Sequence, residues 1–300
     1  MMREGYGKSI FEPLRSERFP FCLGLDCVGT VESVGALVQD FTKGDRVMGV
    51  YSPLNHTGHG TWSEIVDLPA SLVGRIPAHL DDHSAAAIPF AAMTAASSIG
   101  SRKIHRAVVI GASGGVGLFT LQMLKLQGAH VVAVASGVNS QICSDYGADV
   151  FVDYTKENID DKVEQSSIDF VLDASGRKVN FQPMDQNLKF FRPGATFITL
   201  SSPFIRMCDS SNNFFVGASL AAINLAQSKV QYQYHRHVNY EWAFFKPCAS
   251  TWKKIVELSS NGELRARVSK VFQLEDVAAA QSYMERAHVS GKVVISLRKE

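Results

Sequence analysis

The stretch Val108-Val-Ile-Gly-Ala-Ser-Gly-Gly-Val-Gly117 constrains this chain more than any other. A β-branched run meets a glycine-rich turn, and a helical pattern follows with Leu118, Leu121, Leu124 and Lys125 on one face, ending at Gly128. A turn of this kind lets backbone without Cβ atoms approach a pyrophosphate. The helix behind it offers free N–H groups and the positive end of its dipole. Gly111, Gly114, Gly115 and Gly117 are therefore candidate cofactor-binding residues. The spacing is A-x-G-x-x-G, with Ala112 at the usual first glycine. No Gly-Lys-Ser/Thr follows, which excludes a Walker-type phosphate loop. The competing explanation is a packing turn without ligand, and the βα series behind the turn argues against it.

That series runs from about 91 to 235. Apolar strands are expected at Ala107–Gly111, Val131–Ala135, Val150–Val152, Ile168–Leu172 and Thr196–Leu200, with helices near 115–127, 138–146, 156–165 and 180–190. Strands separated by helix-length segments imply βαβ units and a doubly wound parallel sheet. Residues 19–90 read differently. Short runs at Gly29–Val34, Lys43–Val47 and Trp62–Val66, broken by Gly, Pro and Asp, suggest antiparallel β structure. The last sixty residues give a helix at Ala249–Ser259, a strand at Val268–Phe272, a helix at Leu274–Arg286 and a strand at Lys292–Leu297. His235 and His237 sit in a strand-like segment.

Composition narrows the function classes. Thirty Lys+Arg against 29 Asp+Glu leave a net charge of +1, which speaks against nucleic-acid binding through net field. The longest weakly polar stretch, Phe214–Ala226, is too short and too interrupted to span a bilayer, so the protein is expected not to be transmembrane. Five scattered cysteines without a C-x-x-C suit a reducing compartment better than a disulfide framework or a structural zinc site.

Folds of this kind that bind NAD place an acid about 20 residues beyond the motif, on the ribose 2′-hydroxyl. Here Ser136 lies at that position, and Gly137, Val138, Asn139 and Ser140 carry no acid. A carboxylate there would repel a 2′-phosphate, so its absence points to NADPH. Tyr154, after the third strand, is a second candidate for the phosphate. No metal is expected: Cys22 and Cys27 have no histidine in register, Asp26 offers only a carboxylate, and His56 and His59 read as solvated loop residues.

Together these residues resemble the zinc-independent, quinone-oxidoreductase-like branch of the medium-chain dehydrogenase/reductase superfamily. Gly24–Gly35, Phe41–Val47, Gly60–Glu64, Ala85–Pro89 with Thr94-Ala95, Gly111–Gly117, Asp169–Gly176 and Gly291–Val294 fall in family order. The resemblance implies a Rossmann domain at 91–240. It also implies a discontinuous GroES-like β-rich catalytic domain from 1–90 and a return segment at 241–300. It implies phosphate contacts from Ser113, Gly115 and Val116, with Ser136 and Tyr154 at the 2′-phosphate. Thr94, Ser175, Leu200 and Phe245 would lie along the nicotinamide half, and His288, Val289 and Ser290 would close over the cofactor.

Tyr6 is the one candidate donor to a substrate oxygen. The implied activity is hydride transfer from NADPH to a small lipophilic quinone or enone; the alternative is an NADPH-binding interaction protein with little catalysis. Met2–Gly7, Asp153-Tyr154, Ser201–Phe204 and Tyr240–Phe245 narrow the likeness to a mitochondrial oxidoreductase of this branch, linked to coenzyme Q metabolism. A reticulon is then a candidate partner, and a homodimer through the sheet edge is a family expectation. The chain starts inside a segment that relatives precede with further strands, so a truncated form is expected, with exposed sheet edges.

Overall fold

A computed structural model describes residues 22–52, 60–176, 189–211, 213–286 and 289–298. These form two compact units. One comprises 98–112 and 124–244; the other comprises 22–97, 113–123 and 245–298.

The first unit is built on six parallel strands: β4 (Arg106–Ile110), β5 (His130–Ala135), β6 (Val150–Asp153), β7 (Ile168–Asp173), β8 (Phe191–Thr199) and β9 (Asn239–Trp242). Their order is β6-β5-β4-β7-β8-β9, so the chain winds one way from β4 and the other way from β7. A parallel sheet is buried on both faces, which explains its near-continuous apolar strands. Val108, Ile110, Val132, Val134, Val152, Ile168, Val171 and Phe197 are all at most 2% exposed. Tyr232 stacks on Phe197 and on Tyr240, at 5.5 and 4.7 Å between ring centroids.

Between these strands the helices depart from expectation. Residues 138–146 give a 3-10 turn at Gly137–Asn139 and a short helix, Ser140–Asp145. The helix expected at 156–165 is one 3-10 turn, Ile159–Asp161. Asn158 caps it by accepting from the Asp160 N–H at 3.2 Å, and Ser166 stands at φ 52°. The segment 180–190 lies outside the described residues except for 189–190, which lead into β8.

The largest departure is a 23-residue helix at Phe214–Arg236. The side chain of Asn213 caps it, accepting from the N–H groups of Phe215 and Val216 at 2.9 and 3.2 Å. His237 ends it in the left-handed region at φ 52°. His235 is thus helical, not in a strand, because the cap and the small residues Gly217, Ala218 and Ala221 favour a helix packed on its neighbours. At Gly217 an added Cβ would lie 2.3 Å from Cys208 Cα, in the preceding helix Phe204–Ser210.

In the second unit β1 (Asp26–Thr30), β2 (Arg46–Val50) and β3 (Val73–Arg75) form an antiparallel sheet. β1 and β2 are each shifted about three residues from the expected runs. Thr42–Asp45 instead forms a turn, closed by the Thr42 N–H on Asp45 Oδ2 at 2.9 Å. Trp62–Val66 bends rather than extending: the N–H groups of Thr61 and Trp62 donate to Gly24 and Leu23 carbonyls, and the strand goes no further. The helices Asp82–Ala86 and Pro89–Ile99 follow β3, and α-helix Gly115–Leu126 follows the glycine-rich turn. Near the end of the chain come the helix Ala249–Ser260, β10 (Val268–Gln273), the helix Val277–Arg286 and β11 (Lys292–Ser296), with β10 and β11 paired in parallel.

Candidate functional site

In open parallel sheets, ligands bind beyond the carboxyl ends of the strands where the winding reverses. Here that point lies between β4 and β7, and the chain crosses it with Gly111 at φ +72°. A Cβ on Gly111 would stand 2.7 Å from Ser175 Cα and 2.8 Å from Ala174 C, so only glycine lets the two turns lie this close. The N–H groups of Gly111 and Ala112 both donate to the Val134 carbonyl.

One carboxylate organises this end of the sheet. Asp173, 9% exposed, accepts from the Ser175 N–H at 3.0 Å, the Ser175 hydroxyl at 2.6 Å and the Thr199 hydroxyl at 3.0 Å. Its own carbonyl accepts from the Leu200 N–H at 2.9 Å. Ser175 and Leu200, both expected at the nicotinamide end, are thereby fixed to one aspartate. The hydroxyl of Ser201, next along, is buried and has no hydrogen-bond partner among the described residues. Neither Asp173 nor Ser201 was identified from sequence. The position of Asp173 at the carboxyl end of β7 is the signal that marks it.

Ser136 follows β5 and accepts from Asn139 Nδ2 at 2.9 Å. Tyr154 follows β6 and packs partly on the sheet core. No acid stands in 136–140, but a carboxylate reaches this turn from the neighbouring strand, so the empty window does not by itself point to NADPH. The carboxylate of Asp153, at the end of β6, lies so close to Gly137 that a Cβ there would meet Oδ2 at 2.3 Å. Hydrogen bonds from the Thr155 hydroxyl and N–H, with smaller contributions from Lys156 and the Gly137 N–H, hold its pKa below the usual carboxylate value.

The remaining candidates belong to the second unit. Ser113 begins the turn into the helix Gly115–Leu126, whose first N–H groups have no acceptors within the helix. The Ser113 carbonyl accepts from the Gly291 N–H at 2.8 Å, and Gly114 bridges Gly291. Glycine at 115 leaves room for Lys292: a Cβ there would be 2.8 Å from its Cδ. Next to Gly291 the hydroxyl of Ser290 is buried with no hydrogen-bond partner among the described residues, and Val289 is half-buried beside it. Thr94 donates to the Phe90 carbonyl at 2.7 Å. Phe245 stacks on Phe90 at 4.5 Å and 12°. Tyr6 and His288 lie outside the described residues, as do His56 and His59.

Taken unit by unit these features fit a dinucleotide: the first unit has a cradle that a Cβ would fill, and the second has a helix start and a buried hydroxyl with no partner among the described residues. The donors near Gly24 do not fit zinc. Cys22 donates its thiol hydrogen to the Trp62 carbonyl at 3.1 Å. Burial pushes the Cys27 thiol up to about 12, so it does not present a thiolate. Asp26 is occupied by Lys292 Nζ at 2.9 Å and by the Phe90 N–H. Among the described residues no group of three or more His, Cys, Asp or Glu could hold a metal ion.

Comparison with known proteins places the chain among relatives. A zinc-binding dehydrogenase model matches residues 146–295, and an alcohol dehydrogenase GroES-like domain model matches 2–78. The mouse protein named NAD(P)H oxidoreductase RTN4IP1, mitochondrial, is 32% identical over 99% of this chain and 77% of its own length. The Caenorhabditis elegans protein named reticulon-4-interacting protein 1, mitochondrial, is 26% identical over 98% of this chain and 83% of its own. The quinone oxidoreductase structure from Coxiella burnetii superposes with a TM-score of 0.76 at 22% identity, covering 97% of this chain and 84% of that one, which shows the shared fold.

Proposed function

The chain belongs to the medium-chain dehydrogenase/reductase family, a family of oxidoreductases, and from that membership we propose an NADPH-dependent reductase of quinones or conjugated enones that works without zinc. The observation that carries this reading is a contrast. A dinucleotide-type turn stands at the switch point of the sheet, while the donors at Cys22, Asp26 and Cys27 are committed to other partners.

Ser113, Gly115 and Val116 would hold the pyrophosphate through backbone N–H groups, with Gly111, Gly114 and Gly117 giving access. Ser136 and Tyr154 would take the 2′-phosphate. Thr94, Ser175, Leu200 and Phe245 would line the nicotinamide end, and His288, Val289 and Ser290 would close over it. The bound cofactor supplies a hydride from its nicotinamide ring. The protein's own share is positioning and the exclusion of water. Asp173 does the first by fixing Ser175 and the strand end that carries Leu200. The stacked pair Phe90–Phe245 contributes apolar surface for the second. Tyr6 is the proposed hydrogen-bond donor to the acceptor's developing oxyanion.

The test is consumption of NADPH by the purified full chain with a panel of quinones and enals, alongside metal analysis of the same sample. Turnover with substoichiometric zinc supports the reading. A folded, NADPH-saturated protein that reduces none of them overturns it. The relatives' names support a mitochondrial location. The name of the nematode relative also favours a second reading, an NADPH-binding partner of a reticulon. That reading requires NADPH to change the affinity for the reticulon, because coupling between two ligands is reciprocal.

A further inference from the structure

Among the described residues of the first unit, two buried side-chain polar atoms have no hydrogen-bond partner: Arg106 Nε and Ser201 Oγ. Arg106 opens β4, at the amino end of the sheet. Ser201 stands at the opposite end, two residues beyond β8, on the side where open parallel sheets bind their ligands. A buried hydroxyl without a partner costs stability unless a ligand supplies one.

The backbone beneath this hydroxyl is fixed from two sides. The Ser201 N–H donates to Thr199 Oγ1 at 3.0 Å, and the Thr199 hydroxyl donates to Asp173 Oδ2, also at 3.0 Å. The Leu200 N–H donates to the Asp173 carbonyl at 2.9 Å. Asp173 is the register partner of Thr199 on one side and of Ile110 on the other. Ile110 leads into Gly111, which packs on the Ser175 backbone. Ser201 is thus tied to the switch point of the sheet through one carboxylate.

That carboxylate also sets the polarity of a second hydroxyl. Ser175 Oγ donates its hydrogen to Asp173 Oδ1 at 2.6 Å, and the Ser175 N–H donates to the same oxygen at 3.0 Å. A serine hydroxyl has one hydrogen and two lone pairs. With its hydrogen committed, Ser175 Oγ can only accept from a ligand, whereas Ser201 Oγ is free to donate. One donor and one acceptor, both half-buried and both held by Asp173, are the complement of a primary carboxamide. A carboxylate would need two donors, and a ketone would leave Ser175 unused. The nicotinamide ring carries a primary carboxamide.

We propose that Ser201 and Ser175 together recognise that group: the Ser201 hydroxyl donates to the carboxamide oxygen, and Ser175 Oγ accepts from the carboxamide nitrogen. Both roles rest on the chain using NADPH as its reductase cofactor, and they fix how the ring lies toward the acceptor.

Isothermal titration calorimetry of the full chain tests this, with NADPH, its thionicotinamide analogue and adenosine 2′,5′-bisphosphate as ligands and Ser201→Ala beside the parent. Ser201→Ala is expected to bind NADPH about tenfold more weakly, the loss of one hydrogen bond. Its affinity for the bisphosphate, which lacks the ring, is expected to stay the same. Sulfur is a weak acceptor, so the parent is expected to prefer NADPH to the thio analogue and the variant to lose that preference. Without ligand the unfolding temperature of Ser201→Ala is expected to stay level or rise, since an unpaired buried hydroxyl has been removed. Unchanged NADPH affinity in the variant overturns the proposal and leaves the NADPH reading standing. Equal weakening of NADPH and the bisphosphate, or a lowered unfolding temperature, overturns it by making Ser201 structural. A preference over the thio analogue that survives in the variant overturns it by moving the donor to another group. A parent that binds no NADPH fails the underlying reading and takes the proposal with it.

Discussion

Gly111 and Ser175 approach so closely at the switch point that a single added carbon at 111 would stand 2.7 Å from the Ser175 backbone. The contact is backbone against backbone, so no side chain can swing aside to relieve it. Gly111→Ala adds a second penalty, since alanine must also adopt a φ of +72°. The substitution is expected to cost about 2–4 kcal/mol of stability and to abolish NADPH binding. Thermal unfolding and cofactor fluorescence check the two halves separately. Full NADPH affinity in a folded Gly111→Ala variant would remove this turn from the site.

Lys292 and Asp26 join β11 to β1 across 266 residues of sequence. Their side chains are 25% and 16% exposed, so neither is fully solvated. Lys292→Met leaves the Asp26 carboxylate, among the described residues, with the Phe90 N–H alone, at an expected loss of about 1–3 kcal/mol. Asp26→Asn added to Lys292→Met is expected to recover part of that loss. Urea unfolding of the four-member cycle measures it. Strict additivity of the two substitutions would show that the pair is not coupled.

What could be read in advance followed the strength of local patterning. Buried parallel strands announce themselves as apolar runs, and β4, β5, β6 and β7 lie within about a residue of expectation. The helix Phe214–Arg236 was not legible as a helix, because apolar and polar residues are spread around it and no single apolar stripe sets the period. Its clearest signal was the cap at Asn213. Asp173 escaped for a different reason: its three donors come from residues 175 and 199, and no sequence spacing shows that they converge. Asp153 reaches the turn at Gly137 from a neighbouring strand, so a search of 136–140 for an acid could not find it. Sequence windows miss what a sheet assembles sideways.

That carboxylate bears directly on cofactor choice. Asp153 is held ionised against Gly137, and a 2′-phosphate near Ser136 would sense its charge. Asp153→Asn removes the charge and keeps the shape. NADPH affinity is then expected to rise about three- to tenfold relative to NADH, the effect of one like charge at a partly solvated site. The ratio of the two dissociation constants is the measurement. An unchanged ratio would mean that the ribose end lies away from this turn.

Cys248 stands apart from the other ionisable thiols whose environments are resolved. It is exposed, and hydrogen bonds from Ser250 and Thr251 bring its pKa down to about 7. Burial pushes Cys27 and Cys143 up to about 12. The thiolate is the reactive form, so alkylation of Cys248 by iodoacetamide is expected to rise steeply between about pH 6 and 8 and then level off. Cys27 and Cys143 are expected to stay unmodified to about pH 9 in the folded protein. The sign of the linkage follows. A thiol whose pKa is lower folded than unfolded favours the folded state above the unfolded value. That contribution fades as pH falls through about 7. Ser250→Ala removes the first of the hydrogen bonds and should move the alkylation midpoint up toward the ordinary thiol range. Peptide mass spectrometry across a pH series reads all three cysteines at once. A Cys248 midpoint near 9 in the parent chain would show that Ser250 and Thr251 do not stabilise the thiolate in solution.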